Sequence, residues 1–222
     1  MGSTGPEYWG ELAASNGACA DGSEQPPINI VSSQAIEDKR LGGKQIYYEP
    51  TTFTLHNNGH TIQANATTEK NRLVVEGKEY KLVQFHFHTP SEHQLNGQNY
   101  DLEIHFVHKD ESGKLAVLGV MIQEGRENKV LAKVWDKLPK KESKKEASEK
   151  YMIYLKALLP QNQTSFHYDG SLTTPPCTED VKWIVFEQPI EMSKKQIKAF
   201  QQIFKNNHRP VQPLNEREII KN

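Results

Sequence analysis

The chain has 222 residues, 36% of them hydrophobic and 25% charged, with a formal net charge of −1. That length suits one domain with a substantial core, expected to span residues 1–222. The near-zero charge offers no electrostatic footprint for nucleic acid or an anionic membrane, and no apolar run approaches the roughly 20 residues of a membrane span.

Residues 1–45 are rich in Gly, Pro, Asn, Asp and Ser and weakly periodic, which predicts a surface-wrapping arm. Met1 to Gly5 carry neither the basic nor the apolar region of a signal peptide, so any export leader is expected to have been removed. From Gln45 to Ile122, strand-like runs alternate with turn signals: Asn57-Asn58-Gly59, Glu76-Gly77-Lys78, Asn96-Gly97 and Asp110 to Gly113. Such spacing predicts hairpins and a largely antiparallel sheet. Asn128 to Leu138 and Ala147 to Leu159 have helix-forming composition, the second ending at Pro160. Lys137 to Lys150 is a run of mixed charge, expected to be a solvated surface segment. Val181 to Phe186 reads as a further strand. Ser193-Lys194-Lys195-Gln196 fits a capping box, followed by Ile197, Phe200 and Phe204 at helical spacing. The economical fold class is α+β, mainly β.

Cys19 and Cys177 are the only cysteines, too far apart for a Cys-x-x-Cys motif. Two separate buried thiols and one long-range disulfide both satisfy the sequence; the disulfide would imply an oxidising compartment.

The most informative stretch is Gln84-Phe85-His86-Phe87-His88. In a strand, alternate side chains share a face, so Gln84, His86 and His88 point one way and Phe85 and Phe87 the other. Tyr100 to His108 repeats the arrangement, with Glu103, His105 and Val107 opposite Leu102, Ile104 and Phe106. Burying Gln, Glu and three His costs several kcal/mol unless every group is paired. If the strands are neighbours, three imidazoles meet at one tetrahedral ion and leave a fourth position for water, as in a catalytic zinc site. Gln84 and Glu103, each two residues before a ligand, can accept the free ring N–H groups. His56, His93, His167 and His208 read as surface or structural.

His86-x-His88-x-x-x-Glu92 also fits the metal motif of cupin barrels, in which the Glu is a ligand. The glycines of that motif are missing, however: Tyr80 and Asn99 occupy their places. His-Glu-x-x-His is absent as well.

The sequence resembles the alpha carbonic anhydrases, from about Gly5 to the C-terminus. The resemblance is carried by Gly5-Pro6-Glu7-Tyr8-Trp9, Pro27-Ile28-Asn29-Ile30, Asn57-Asn58-Gly59-His60, Gln84 to His88, Ser91-Glu92-His93, Glu103 to His108, Leu115 to Gly119, Gly170 to Pro176 and Asn207-His208-Arg209-Pro210. It implies a large twisted, mostly antiparallel sheet with short surface helices and Zn2+ at the base of a conical cleft. The implied activity is reversible hydration of carbon dioxide to bicarbonate and a proton, by zinc-hydroxide attack with histidine proton shuttling. His86, His88 and His105 become the zinc ligands, and the backbone carbonyl of Asn207 joins Gln84 and Glu103 behind them. Thr173 resembles the gate residue that donates to Glu92, and His60 resembles the proton shuttle. Val107, Val117, Leu172 and Trp183 resemble the substrate pocket; Thr174, at its edge, orders connecting waters with Asn58 and Gln63.

The resemblance also implies a Cys19–Cys177 disulfide and a periplasmic or secreted location; bacterial relatives are often homodimers, but no motif here identifies an interface. Cis bonds are implied at Pro175-Pro176 and, less firmly because Pro26 replaces a usual Ser, at Pro26-Pro27. Two further departures stand out. The family's aromatic segment before Gly-Pro-Glu is missing, and with it a tyrosine of the cleft's water network. His208 replaces a frequent tryptophan. Non-catalytic members of the family typically lose a zinc histidine, and all three remain here.

Overall fold

A computed structural model describes residues 3–38, 43–143, 145 and 149–222. Among these, a 13-stranded sheet dominates. Its main path runs through Lys150–Ile153, Thr51–Asn57, Ile62–Ala66, Lys78–His88, Leu102–Lys109, Leu115–Glu124, Glu179–Phe186, Ser165–Ser171, Ile220–Lys221 and Ile36–Glu37. The turn signals at 57–59, 76–78 and 110–113 close hairpins, while Asn96-Gly97 closes only the isolated Leu95–Gln98 bridge.

Most pairs are antiparallel, as the turns predict. The exceptions join segments distant in sequence: Leu115–Glu124 pairs in parallel with Glu179–Phe186 and with Ile190–Met192, Ile220–Lys221 with Ile36–Glu37 and, in a separate two-stranded sheet, Asn29–Ile30 with Gln94–Leu95. The first parallel pair matters for function, because it sets Val117 opposite Trp183 while Val117 also faces Val107 in the antiparallel neighbour.

The period-2 pattern divides the sheet into two faces. Phe85, Phe87, Ile104, Phe106, Leu118 and Phe186 enter the larger hydrophobic core with Phe53 and Phe200. Val107, Val117, Val185, Trp183 and Tyr168 build a second, smaller core on the other face, with Ile28 and Ile30 of the N-terminal segment. Each buried phenylalanine stabilises the fold by about 1.5–3 kcal/mol relative to exposure. Shifting one strand by a residue would exchange its faces, so this burial fixes the register that brings His86 opposite His105.

The helix at Lys129–Trp135 is shorter than the segment 128–138 suggests; Asn128 caps it through the backbone N–H of Leu131. The helix expected over 147–159 does not form. Ala147 and Ser148 lie outside the described residues, but Lys150–Ile153 is a strand and Leu155–Leu158 a single 3-10 turn. The strand pairs with Thr51–Thr54 and lets Ile153, Leu155 and Leu158 enter the large core. Tertiary burial thus overrides local helix propensity. The described part of 137–150 is mainly exposed, apart from Leu138 and Pro139. At Lys194–Gln201 both halves of the capping box are present, between Ser193 and Gln196.

The N-terminal segment is short helical turns and loops tied to the body by the Cys19–Cys177 disulfide. Pro26-Pro27 and Pro175-Pro176 are both cis, as is Thr89-Pro90, which the sequence reading did not anticipate. The sheet is an open path, which removes the cupin-barrel alternative.

Candidate metal centre and its cleft

His86, His88 and His105 come together because adjacent antiparallel strands present the same face at matched register. Their potential ligand nitrogens all lie within 4.8 Å of one another. Each ring is oriented by its other nitrogen. Nδ1–H of His86 donates to Gln84 Oε1 at 2.8 Å, Nδ1–H of His88 to the Asn207 carbonyl at 2.9 Å, and Nε2–H of His105 to Glu103 Oε1 at 2.8 Å. These bonds fix the tautomers and leave Nε2, Nε2 and Nδ1 as lone-pair donors. His88 Nε2 is buried with no hydrogen-bond partner, a costly arrangement in a core that satisfies nearly all its other polar groups.

Electrostatics favour a cation here. Burial, with the neighbouring His88 and His105, holds His86 well below the usual imidazole pKa; burial also lowers His88. Burial pushes His105 down, but the charge and hydrogen bond of Glu103, with the charge of Glu92, raise it above the usual value. Burial likewise pushes Glu103 up, and His93 and His105 outweigh it, holding the carboxyl well below its usual range. Two neutral imidazoles and a third beside buried carboxylates form a donor set suited to a divalent ion. The donors, all nitrogen, suit zinc.

His93, Glu103 and His105 form a second close group. Here Glu103 accepts four hydrogen bonds, from both rings and from the backbone N–H groups of Glu92 and His93. Its lone pairs are spent, so this group is a hydrogen-bond chain, which continues from His93 to the Tyr168 hydroxyl. His93 therefore belongs to the structural class the sequence assigned it, but completely buried and behind the centre. Gly119 is a residue whose role the sequence does not expose: a Cβ there would lie 3.0 Å from Glu103 Oε1.

The cluster opens into a cleft of about 670 Å³. Its lining includes an apolar set, Val107, Val117, Leu172 and Trp183, and a polar set, Asn58, His60, Gln63 and Gln84. Glu92, Thr173, Thr174 and His208 also line it, together with Thr4, Pro6, Trp9 and Leu12 of the N-terminal segment. Trp183 is anchored by its indole N–H to the Ser171 carbonyl at 2.9 Å. Glu92 Oε1 accepts the backbone N–H of Arg209 at 2.8 Å, while its Oε2 is buried without a partner. His60 is exposed; Asn58 Oδ1 accepts its backbone N–H, and Asn207 Nδ2 donates to its carbonyl. Of the remaining histidines, His56 contacts the Ser143 carbonyl and His167 the Ser165 hydroxyl, both away from the cleft.

The family model described as eukaryotic-type carbonic anhydrase matches residues 4–222. A carbonic anhydrase of Nostoc sp. is 41% identical over 223 residues, covering 99% of this chain and 84% of that protein. One from Klebsiella pneumoniae is 41% identical, covering 97% of this chain and 87% of the relative. Among solved structures, the alpha-carbonic anhydrase of Thermovibrio ammonificans, in complex with sulfanilamide, superposes with a TM-score of 0.94 at 43% identity, covering 99% of this chain and 96% of the other. The chain belongs to the alpha carbonic anhydrase family. Its activity is the zinc-dependent, reversible hydration of carbon dioxide to bicarbonate and a proton.

Proposed function

We propose that His86, His88 and His105 hold the zinc ion of this reaction, within one catalytic domain formed by the whole chain. The observation that carries the assignment is the convergence of three oriented imidazoles on one point, with His88 Nε2 buried and unpaired. Bound zinc makes hydroxide available near neutral pH, a behaviour for which carbonic anhydrase is itself the standard example. The protein's own groups do the rest.

Val107, Val117, Leu172 and Trp183 offer carbon dioxide, an uncharged molecule without a strong donor, an apolar wall beside the cluster. Glu92 Oε2, buried without a partner, is the acceptor open to the Thr173 hydroxyl; once that bond is made, the threonine oxygen acts as acceptor towards the nucleophile. Gln84, Glu103 and the Asn207 carbonyl hold the three rings. His60, on the polar rim after the Asn57-Asn58-Gly59 turn, takes up the released proton, through waters ordered by Asn58, Gln63 and Thr174. The disulfide supports a periplasmic or secreted location.

Metal analysis and stopped-flow hydration test this together. The expected result is one zinc per chain, with hydration lost on chelation, restored by zinc, and blocked by sulfanilamide. Protein that hydrates carbon dioxide equally well after complete zinc removal would refute it.

A further inference from the structure

His208 is the cleft histidine that the reading above leaves without a role. Its neighbours on both sides are committed to the centre. The preceding carbonyl, of Asn207, holds His88, and the following N–H, of Arg209, holds Glu92. The His208 ring is half-buried and lines the same cleft as the three clustered histidines and His60. Its Nδ1 is spent on the Asn206 side-chain oxygen. Because that oxygen can only accept, Nδ1 carries the hydrogen and Nε2 holds the lone pair.

We propose that His208 is a second proton acceptor for the hydration reaction, working beside His60 in the same cleft, where the preceding residue, Asn207, bonds the His60 carbonyl. Hydration of carbon dioxide releases one proton. His208 Nε2 takes it through intervening water and becomes imidazolium, with Nδ1–H still bonded to Asn206. A buffer base then removes it and restores the neutral ring. The charged and titratable groups around it suit that cycle. Burial disfavours the protonated ring and so helps the proton to leave again, against the weaker pull of Glu92 in its favour. Arg209 does not compete: its guanidinium donates to Gln25 Oε1 and to the Pro26 and Cys19 carbonyls. His60 shares the cleft but is exposed, whereas His208 is half-buried, so the two rings meet the cleft water at different depths.

The proposal rests on the zinc-site reading, and kcat/KM tests that reading separately, since proton export does not enter it. Four proteins are compared in dilute buffer: wild type, His60→Ala, His208→Gln and the double variant. His208→Gln is expected to lower kcat modestly. The double variant should fall several-fold below His60→Ala alone, because neither cleft histidine then accepts the proton. In all four, kcat/KM and melting temperature should stay near wild type, and added imidazole should restore kcat. A double variant with the same kcat as His60→Ala overturns the relay and leaves the zinc site standing. Parallel loss of kcat/KM would make His208 part of the scaffold and overturns it equally. Independently of turnover, NMR of the zinc-loaded protein should show the His208 ring gaining a proton as pH falls, with the hydrogen on Nδ1 when neutral; a ring that stays neutral for as long as the protein remains folded overturns the proposal.

Discussion

His105 and His108 lie on one strand, three residues apart, on opposite faces, and both are buried to within 1%. Their surroundings differ in one respect. His108 sits in the large-core side with both nitrogens satisfied: Nδ1–H donates to the Ala116 carbonyl at 3.2 Å, and Nε2 accepts the Tyr48 hydroxyl at 2.7 Å. Its ring stacks on Tyr48 at an interplanar angle of 8°. His105 satisfies one nitrogen with Glu103 and aims the other at two more imidazoles. A buried histidine with both nitrogens paired is a structural part. One with a nitrogen left over, meeting others in the same condition, is a ligand in waiting.

His105→Ala should break this contrast most severely. It removes a ring from the cluster, and both zinc and nearly all hydration activity should disappear, measured by metal content and stopped flow. The loss should far exceed that from an outer partner. Full zinc occupancy with normal activity would refute the assignment. Thr173→Ala should keep the zinc and lose roughly 10²–10³ in kcat/KM, the usual cost of one preorganised polar contact. Unchanged kcat/KM would remove the gate role. Glu103→Gln keeps the shape but weakens the acceptor for His105 and His93, and should lower zinc affinity about 10–100-fold in a chelator competition.

The smallest effect on activity should come from the other side of the strand. His108→Phe should leave kcat/KM unchanged while costing about 1–3 kcal/mol, because the buried Tyr48 hydroxyl loses its partner. It should also change acid stability. Burial lowers the His108 pKa from 6.5 to about 4, so the unfolded chain binds a proton more readily than the folded one. The stabilisation from neutral His108 is therefore complete above pH 6.5 and fades as pH falls towards 4, by about 3 kcal/mol. Urea titrations across that range should show the slope in wild type and its reduction in His108→Phe. An equal slope in both would mean that other groups govern acid unfolding.

The same contrast shows what the sequence could reveal. The period-2 pattern in Gln84 to His88 and Glu103 to His108 was enough to place three histidines on a shared face, because strand geometry is local. Hairpins closed by tight turns were equally legible. His93 was not: it lies beside Glu92 in sequence, and only Glu103 and Tyr168, ten and 75 positions away, show that it is sealed behind the centre. The parallel pairing that puts Trp183 against Val117 joins residues 66 positions apart, beyond any turn signal. The strand at Lys150–Ile153 was hidden by helix-forming neighbours, since its stability comes from pairing with Thr51–Thr54. Gly119 shows only by the space that it leaves for Glu103.

The carbonyl that holds His88 belongs to Asn207, 119 positions later. During synthesis His86, His88 and His105 emerge long before that carbonyl exists. A chain cut short of residue 207 would carry all three histidines without the group that sets His88. Setting all three rings for an ion therefore requires most of the chain to have been made, in contrast to small zinc domains, which gather their ligands locally and fold around the ion.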